Sequence, residues 1–347
     1  MSPQLITVIG SLNMDIITIV DRMPDGGESL TAAEPLITCP GGKGANQAMA
    51  AFRLSRDNPN GHVMARYKDS RTYSRIEVRM IGRVGDDDYG TQILNAFHVA
   101  GLSTVCVQRA PGLRTGVAVI LVESGTGESR VLLHPEANHS LRPSEFMTLQ
   151  SLLGNASPGP PKKPDLLVLQ LEIPRDTVEQ ILETAKREDI EVVLNAAPAI
   201  SLMPKAWKGV THLIVNETEG AILLGRDIES IDNLTKDWAE LTELCLNRGV
   251  KNVVVTLGAK GAYYWNQESG GDFCQADRVE VVDTTTAGDT FVGAYAVEVL
   301  NAKEEGHWDI GKAVRRACKA ATRTVMKKGT QNSIPWRDEV LIEAARY

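Results

Sequence analysis

The chain has 347 residues, 43% of them hydrophobic and 23% charged, which is enough to bury a sizeable core and too apolar for a disordered tail. At roughly 150 residues per domain, this length allows two domains or one large α/β domain with an appendage. Lys and Arg number 37 against 44 Asp and Glu, a net charge of -7; this excludes the global basic field that holds nucleic acid or an anionic membrane, so an anionic ligand needs a local site.

The N-terminus runs straight into an apolar strand at residues 5–9, with no basic leader and no long apolar stretch, so neither secretion nor membrane spanning is expected. Asn13 and Asp15 follow this strand, at an edge where open α/β sheets place ligands, although both are also ordinary turn residues. Residues 16–20 and 30–34 read as short strands on either side of Pro24-Asp25-Gly26-Gly27. The loop Pro40-Gly41-Gly42-Lys43-Gly44-Ala45-Asn46-Gln47 then opens a helix over 45–52. It lacks the phosphate-loop spacing, but its glycines permit close backbone approach, and Lys43 and Asn46 offer donors for hydroxyls. Residues 53–75 are polar and locally basic, a surface insertion before the strand at 78–81 and the helix at 90–100. Residues 104–108, 115–122 and 130–133 again read as short strands, which with the earlier pair suggest a small β flap over a site.

Beyond the Pro/Gly-rich connection at 154–164, apolar strands at 166–171, 191–194, 213–215 and 253–257 alternate with helical periods at 177–187 and 233–247. That alternation predicts a mostly parallel sheet covered on both faces. Polar or glycine-rich turns close these strands: Glu172, then Asn216-Glu217-Thr218-Glu219, then Leu257-Gly258-Ala259-Lys260-Gly261. The strongest local signal is Asp283-Thr284-Thr285-Thr286-Ala287-Gly288-Asp289-Thr290-Phe291, a loop entering an apolar helix. A helix N-terminus supplies free N–H groups to an anion, and Asp289 adds a carboxylate suited to taking a proton from an attacking hydroxyl. A capping Asp before a core helix fits the same local pattern.

The five cysteines form no C-x-x-C pair, which points to a reducing compartment, and the six histidines show no zinc spacing. A G-x-S-x-G elbow is absent as well, which leaves phosphoryl transfer ahead of hydrolysis. Asn-x-Ser/Thr matches at Asn138, Asn155, Asn216 and Asn233 are treated as chance.

Gly10-Ser11-Leu12-Asn13-Met14-Asp15, the 41–48 loop, Ile81-Gly82-Arg83-Val84-Gly85-Asp86-Asp87, Asn216-Glu217-Thr218-Glu219 and the 283–291 segment, in this order, resemble the ribokinase branch of the PfkB carbohydrate kinase family. The resemblance implies a single three-layer α/β/α sandwich over 1–347 with a β-sheet lid, formed from about 14–40 and 103–133, that also makes a homodimer contact. It implies ATP-dependent phosphorylation of the 5-hydroxyl of D-ribose, with kinases of 2-deoxyribose or another furanose, or a non-catalytic sugar-binding homologue, as alternatives. The sugar-binding positions would be Asn13, Asp15, Gly41, Gly42, Lys43, Gly44, Ala45, Asn46 and Glu172, and Asp289 would be the base beside a backbone anion hole at Thr286, Ala287 and Gly288. Asn216, Thr256, Leu257, Gly258, Ala259, Lys260, Gly261 and Cys318 would meet the nucleotide, and Glu219 would organise Mg2+. Asp283, Thr285, Thr324, Lys327, Gly329 and Ser333 would form a K+ loop, and the setting would be cytoplasmic, with the nucleus as a further compartment. Thr286 stands where the family usually has Gly or Ala, Glu136-Ala137-Asn138 replaces Gly-Ala-Asn, and Asn195-Ala196-Ala197-Pro198 replaces Asn-Pro-Ala-Pro.

Overall fold

A computed structural model describes residues 3–61, 75–125, 129–154, 162–226 and 234–341. In chain order it contains β1 (Gln4–Ile9), β2 (Asn13–Val20), β3 (Ile37–Gly41), α1 (Lys43–Leu54), β4 (Ile76–Gly85), α2 (Asp88–Ala100), β5 (Val107–Ala110), β6 (Gly116–Glu123) and β7 (Ser129–His134). There follow α3 (Leu149–Leu152), β8 (Leu166–Leu169), α4 (Arg175–Arg187), β9 (Glu191–Asn195), β10 (His212–Asn216), α5 (Glu217–Leu224), α6 (Leu234–Asn247) and β11 (Asn252–Thr256). The chain closes with β12 (Gly261–Asn266), β13 (Gly270–Gln275), α7 (Ala287–Glu305), α8 (Ile310–Val325) and α9 (Arg337–Leu341).

Nine strands make one sheet in the order β13-β12-β11-β10-β9-β8-β1-β4-β5, parallel except for the last two in sequence. Successive residues of a strand face opposite sides, and the core divides accordingly. Val168, Val193, Ile214 and Val254 pack with α1, α7 and α8 on one face. Leu167, Leu169, Leu194, Leu213 and Val255 pack with α4 and α6 on the other. This is the expected three-layer sandwich, and burial on both faces explains why its strands read as unbroken apolar runs.

From β1 the chain builds outward through β4 and β5 on one side and through β8 to β11 on the other. The order therefore reverses between β1 and β8, where the crevice at the strand ends receives ligands in open α/β sheets.

A second sheet, β3-β2-β6-β7, forms the lid, spanning 13–41 and 116–134. Two expectations are corrected here. The strand near 104–108 pairs parallel with β4 at the edge of the main sheet and is no part of the lid, because Val107 lies beside Gly82 there. Residues 30–34 form no strand; the third lid strand is Ile37–Gly41, which runs directly into the glycine loop. The antiparallel pair β12 and β13, with its glycine turn at Gly270 (φ 74°), was not read from the sequence at all. Most of the 53–75 insertion lies outside the described residues, as do Asn155 and Asn233; α1 ends at Leu54.

Candidate active site

The crevice at the switch between β1 and β8 is bridged by a short hydrogen bond. Ser11 Oγ, just past β1, donates to Glu172 Oε2, just past β8, at 2.6 Å. Glu172 Oε2 also accepts from the Lys43 backbone N–H at 3.1 Å and from Asn13 Nδ2 at 3.4 Å. The glycines let three backbones converge here. A Cβ on Gly44 would come within 2.6 Å of Ser11 N, and one on Gly41 within 2.0 Å of Asp15 Oδ2. Gly42 also sits at φ 89°, a conformation open to glycine and strained for other residues. Asn138 holds the base of the lid: its Oδ1 accepts from Leu12 N at 2.9 Å, and its Nδ2 donates to Asn13 Oδ1 at 2.7 Å. Asn138 is fully buried, while Glu136, which begins its turn, is exposed in a left-handed conformation at φ 48°.

Asp289 lies in the first turn of α7 and is buried. Its two oxygens are held separately, Oδ2 by Asn46 Nδ2 and Oδ1 by Gln47 Nε2, each at 3.0 Å. Burial raises its carboxyl above the usual range, with Glu172 adding to the shift, while Lys43 and the two amides oppose it. Burial, then Glu172 and Asp289, push Asp15 up to about 8, against the pull of Lys43. Burial disfavours the charge of Lys43, yet Asp289, Glu172, Glu219 and Asp15 together raise its pKa. One ammonium thus serves four carboxyl groups.

At the start of α7, the Ala287 N–H turns back to Thr284 O at 3.2 Å. The N–H groups of Gly288 and Asp289 have no partner among the described residues, and no heavy atom lies within 4 Å of a Cβ built on Gly288. Of the expected stretch Thr286, Ala287 and Gly288, Ala287 therefore spends its N–H on closing the preceding turn, while the N–H of Gly288 stays open. Thr286 is buried, with its hydroxyl unpartnered, and does not cap the helix.

Gly288 also borders a cleft of about 570 Å³ whose lining includes Thr256, Gly258, Gly261, Phe291 and Cys318. The lining includes Ala259 as well, whereas Leu257 turns into the core and Lys260 pairs with Glu217 at 3.1 Å. Asn216 caps α5 and is locked reciprocally with Glu219: each side chain accepts from the other's backbone N–H at 2.8 Å. Burial raises the Glu219 carboxyl, with Asp289 adding and the Asn216 N–H and Lys43 opposing.

The structure also joins the two expected cation segments. Asp283 Oδ1 accepts from Thr285 N and Oγ1 at 2.9 and 2.6 Å, and Asp283 Oδ2 from Gly329 N at 3.0 Å. Thr324 O accepts from Lys327 N at 3.1 Å, and its hydroxyl meets Thr290 Oγ1 at 2.9 Å; Ser333 Oγ closes a turn onto Thr330 O. Ser11, Gln47, Asn138, Gln170 and Asn195 are polar residues of this region that carried no assigned role in the sequence. The available signal was a glutamine, Gln170, interrupting the apolar run 166–171 just past the end of β8.

Comparison with known proteins places the chain. It is 35% identical over 333 residues to the ribokinase of Schizosaccharomyces pombe, covering 95% of this chain and 94% of that protein. It is 34% identical over 331 residues to the deoxyribokinase of Salmonella typhi, covering 95% of each. The structure of the Arabidopsis thaliana ribokinase, complexed with ribose and ATP, superposes with a TM-score of 0.77 at 28% identity, over 99% of this chain and 98% of that one. The sequence model of the pfkB family carbohydrate kinases matches residues 3–337. A buried carboxylate between a polar crevice and an apolar cleft therefore lies in a frame shared end to end with these kinases, and the chain belongs to the pfkB family of carbohydrate kinases.

Proposed function

We propose that this chain transfers the γ-phosphoryl group of ATP to the 5-hydroxyl of D-ribose, giving ADP and ribose 5-phosphate. The observation that carries the reading is the position of Asp289. Its carboxylate borders the polar crevice of Asn13, Asp15, Asn46 and Glu172, while the preceding residue, Gly288, whose N–H is unpartnered among the described residues, lines the apolar cleft. A sugar in the crevice presents a hydroxyl to Asp289, which takes its proton as the oxygen attacks phosphorus and ADP leaves. The free N–H groups and the positive end of the 19-residue α7 stabilise the charge on the transferring phosphoryl oxygens. Thr256, Gly258, Ala259, Gly261 and Cys318 would flank the nucleotide base.

Among the described residues no cluster of three or more His, Cys, Asp or Glu could hold a metal by itself. Magnesium suits the single half-buried carboxylate of Glu219 if the nucleotide phosphates provide the other ligands. Potassium suits the oxygen ligands that Asp283, Thr285, Thr324, Lys327, Gly329 and Ser333 would offer, one carboxylate among them, with Asp283 tied to Thr285 and Gly329. When bound, these ions supply positive charge at the phosphate oxygens and rigidity to the loop before α7.

Buried polar side chains in the crevice favour ribose over 2-deoxyribose, because a sugar lacking a hydroxyl leaves a buried partner unpaired. Cys39, Cys245, Cys274 and Cys318 are free thiols, which supports a reducing, cytoplasmic setting. The exposed apolar side chains of the lid support a homodimer formed through it.

The test is ADP release with ATP, magnesium and potassium, comparing ribose, 2-deoxyribose, fructose and adenosine. Ribose should turn over fastest, potassium should activate more than sodium, and Asp289→Asn should retain ribose while losing roughly two to four powers of ten in turnover. A faster rate on another sugar overturns the substrate. Near-normal turnover by Asp289→Asn overturns the base.

A further inference from the structure

Linked to Asp289 is a chain of buried amides. Gln47 and Gln170 are wholly inaccessible and Asn195 is 8% exposed. A primary amide has a donor end and an acceptor end, so the direction in which Gln47 points decides whether the carboxylate meets a donor or a repelling oxygen. Two neighbours set that direction. Asn195 Nδ2 donates to the Ile214 carbonyl of β10 at 3.1 Å, a fixed point in the sheet, and this turns Asn195 Oδ1 toward Gln47 Nε2 at 3.0 Å. Gln170 Nε2 donates to Gln47 Oε1 at 2.6 Å. With its acceptor end occupied and one N–H given to Asn195, Gln47 directs its other N–H to Asp289 Oδ1.

Gln170 is held at a cost. Its Oε1 is buried without a partner and lies 1.9 Å from where a Cβ on Gly10 would stand. Native interiors rarely leave a buried acceptor unpaired, and packing alone at this position would be served equally well by an apolar side chain. The feature is accounted for if the donor end of Gln170 is what the site requires.

We propose that Gln170, acting through Gln47 and with Asn195 as the second anchor, is a positioning residue that aims the Asp289 carboxylate at the sugar hydroxyl. The inference rests on Asp289 being the base, and its test separates the two ideas. In the full chain, Gln170→Met keeps the approximate volume and removes both the donor and the orphaned acceptor. Turnover should fall about tenfold, with the KM values for ribose and ATP within about twofold of the original and the unfolding midpoint little changed, since the orphaned Gln170 Oε1 is exchanged for an orphaned Gln47 Oε1. In an Asp289→Asn background the same substitution should have no further effect on the residual rate, because there is no longer a base to aim.

Multiplying effects in the double variant would overturn the proposal, as would unchanged turnover in Gln170→Met or a fall in rate that tracks a rise in KM. If Asp289→Asn itself turns over normally, the base assignment fails first and separately. Should Gln170→Met not fold, Gln170→Glu, which keeps the shape but replaces the donor with an acceptor, is read in the same cycle. It is expected to lose at least as much turnover, and additivity with Asp289→Asn again overturns the proposal.

Discussion

Asp15 is buried beside two other acids, and its proton follows from that position. A carboxyl group that titrates near 3.8 in an unfolded chain is pushed up to about 8 in the fold, first by burial and then by Glu172 and Asp289. The folded state therefore binds a proton that the unfolded chain has released, so stability is fully present at acid pH and declines as pH rises through about 8. Asp15→Asn removes this linkage. Relative to the original chain, the variant should gain about 2 kcal/mol between about pH 6 and about pH 8, read from ligand-free urea unfolding across that range. A difference that does not change with pH would show that Asp15 is ionised in the fold. Lys43 has the converse role, since its charge is kept by the acids it serves. From the sequence, Asn13, Asp15 and Lys43 could be placed at a strand end and in a glycine loop, but their shared burial could not be read. It depends on Glu172 and Asp289, contributed by distant segments.

Two glycines of α7 divide structure from chemistry at the level of the helix. Gly293 faces α1: a Cβ there would stand 2.4 Å from Ala50 Cβ and 2.7 Å from Ala51 N. Gly293→Ala should force the helices apart at a cost of about 1–3 kcal/mol, measurable by urea unfolding, and should lower turnover because α1 carries Asn46 and Gln47 to Asp289. Gly288 faces open space, so Gly288→Ala should leave stability unchanged or slightly improved while turnover collapses, its methyl filling the room above the free N–H groups. A loss of stability in Gly288→Ala, or none in Gly293→Ala, would contradict this division. The loop entering α7 was legible because small residues, an Asp and an apolar run occur together over a few positions. The amides behind it were not, since Gln47 and Gln170 lie 123 residues apart in the chain and each looks ordinary in its own segment. The β12–β13 pair escaped for a related reason: Ala262, Tyr263, Tyr264 and Trp265 lack strict alternation.

For the whole molecule, the mostly parallel sheet and its two covered faces followed from the strand and helix alternation, whereas the strand order and the bounds of the lid did not. Short strands carry the same signal whether they join the main sheet, as β5 does, or stand apart from it. Once assembled, the lid has little core of its own: Ile17, Ala118 and Ile120 are buried, with Ile37, Cys39 and Val122 packed partly against them. Its edge strand β7 is exposed along its length, with Leu132 at 62% and Val131 at 52%, and the edge carries unpaired backbone groups. Adjacent residues on a strand face opposite sides, so Val131 and Leu132 expose apolar surface on both faces of the lid. An apolar edge of this kind is stable in water when covered, and a second copy of the lid is the occupant that the proposed dimer supplies. Charging both faces with Val131→Asp and Leu132→Asp should therefore convert a dimer into a monomer, as measured by light scattering at micromolar protein, while the main sheet keeps its unfolding transition. A monomeric original chain at that concentration, or a double variant that stays dimeric, would remove the lid from the interface.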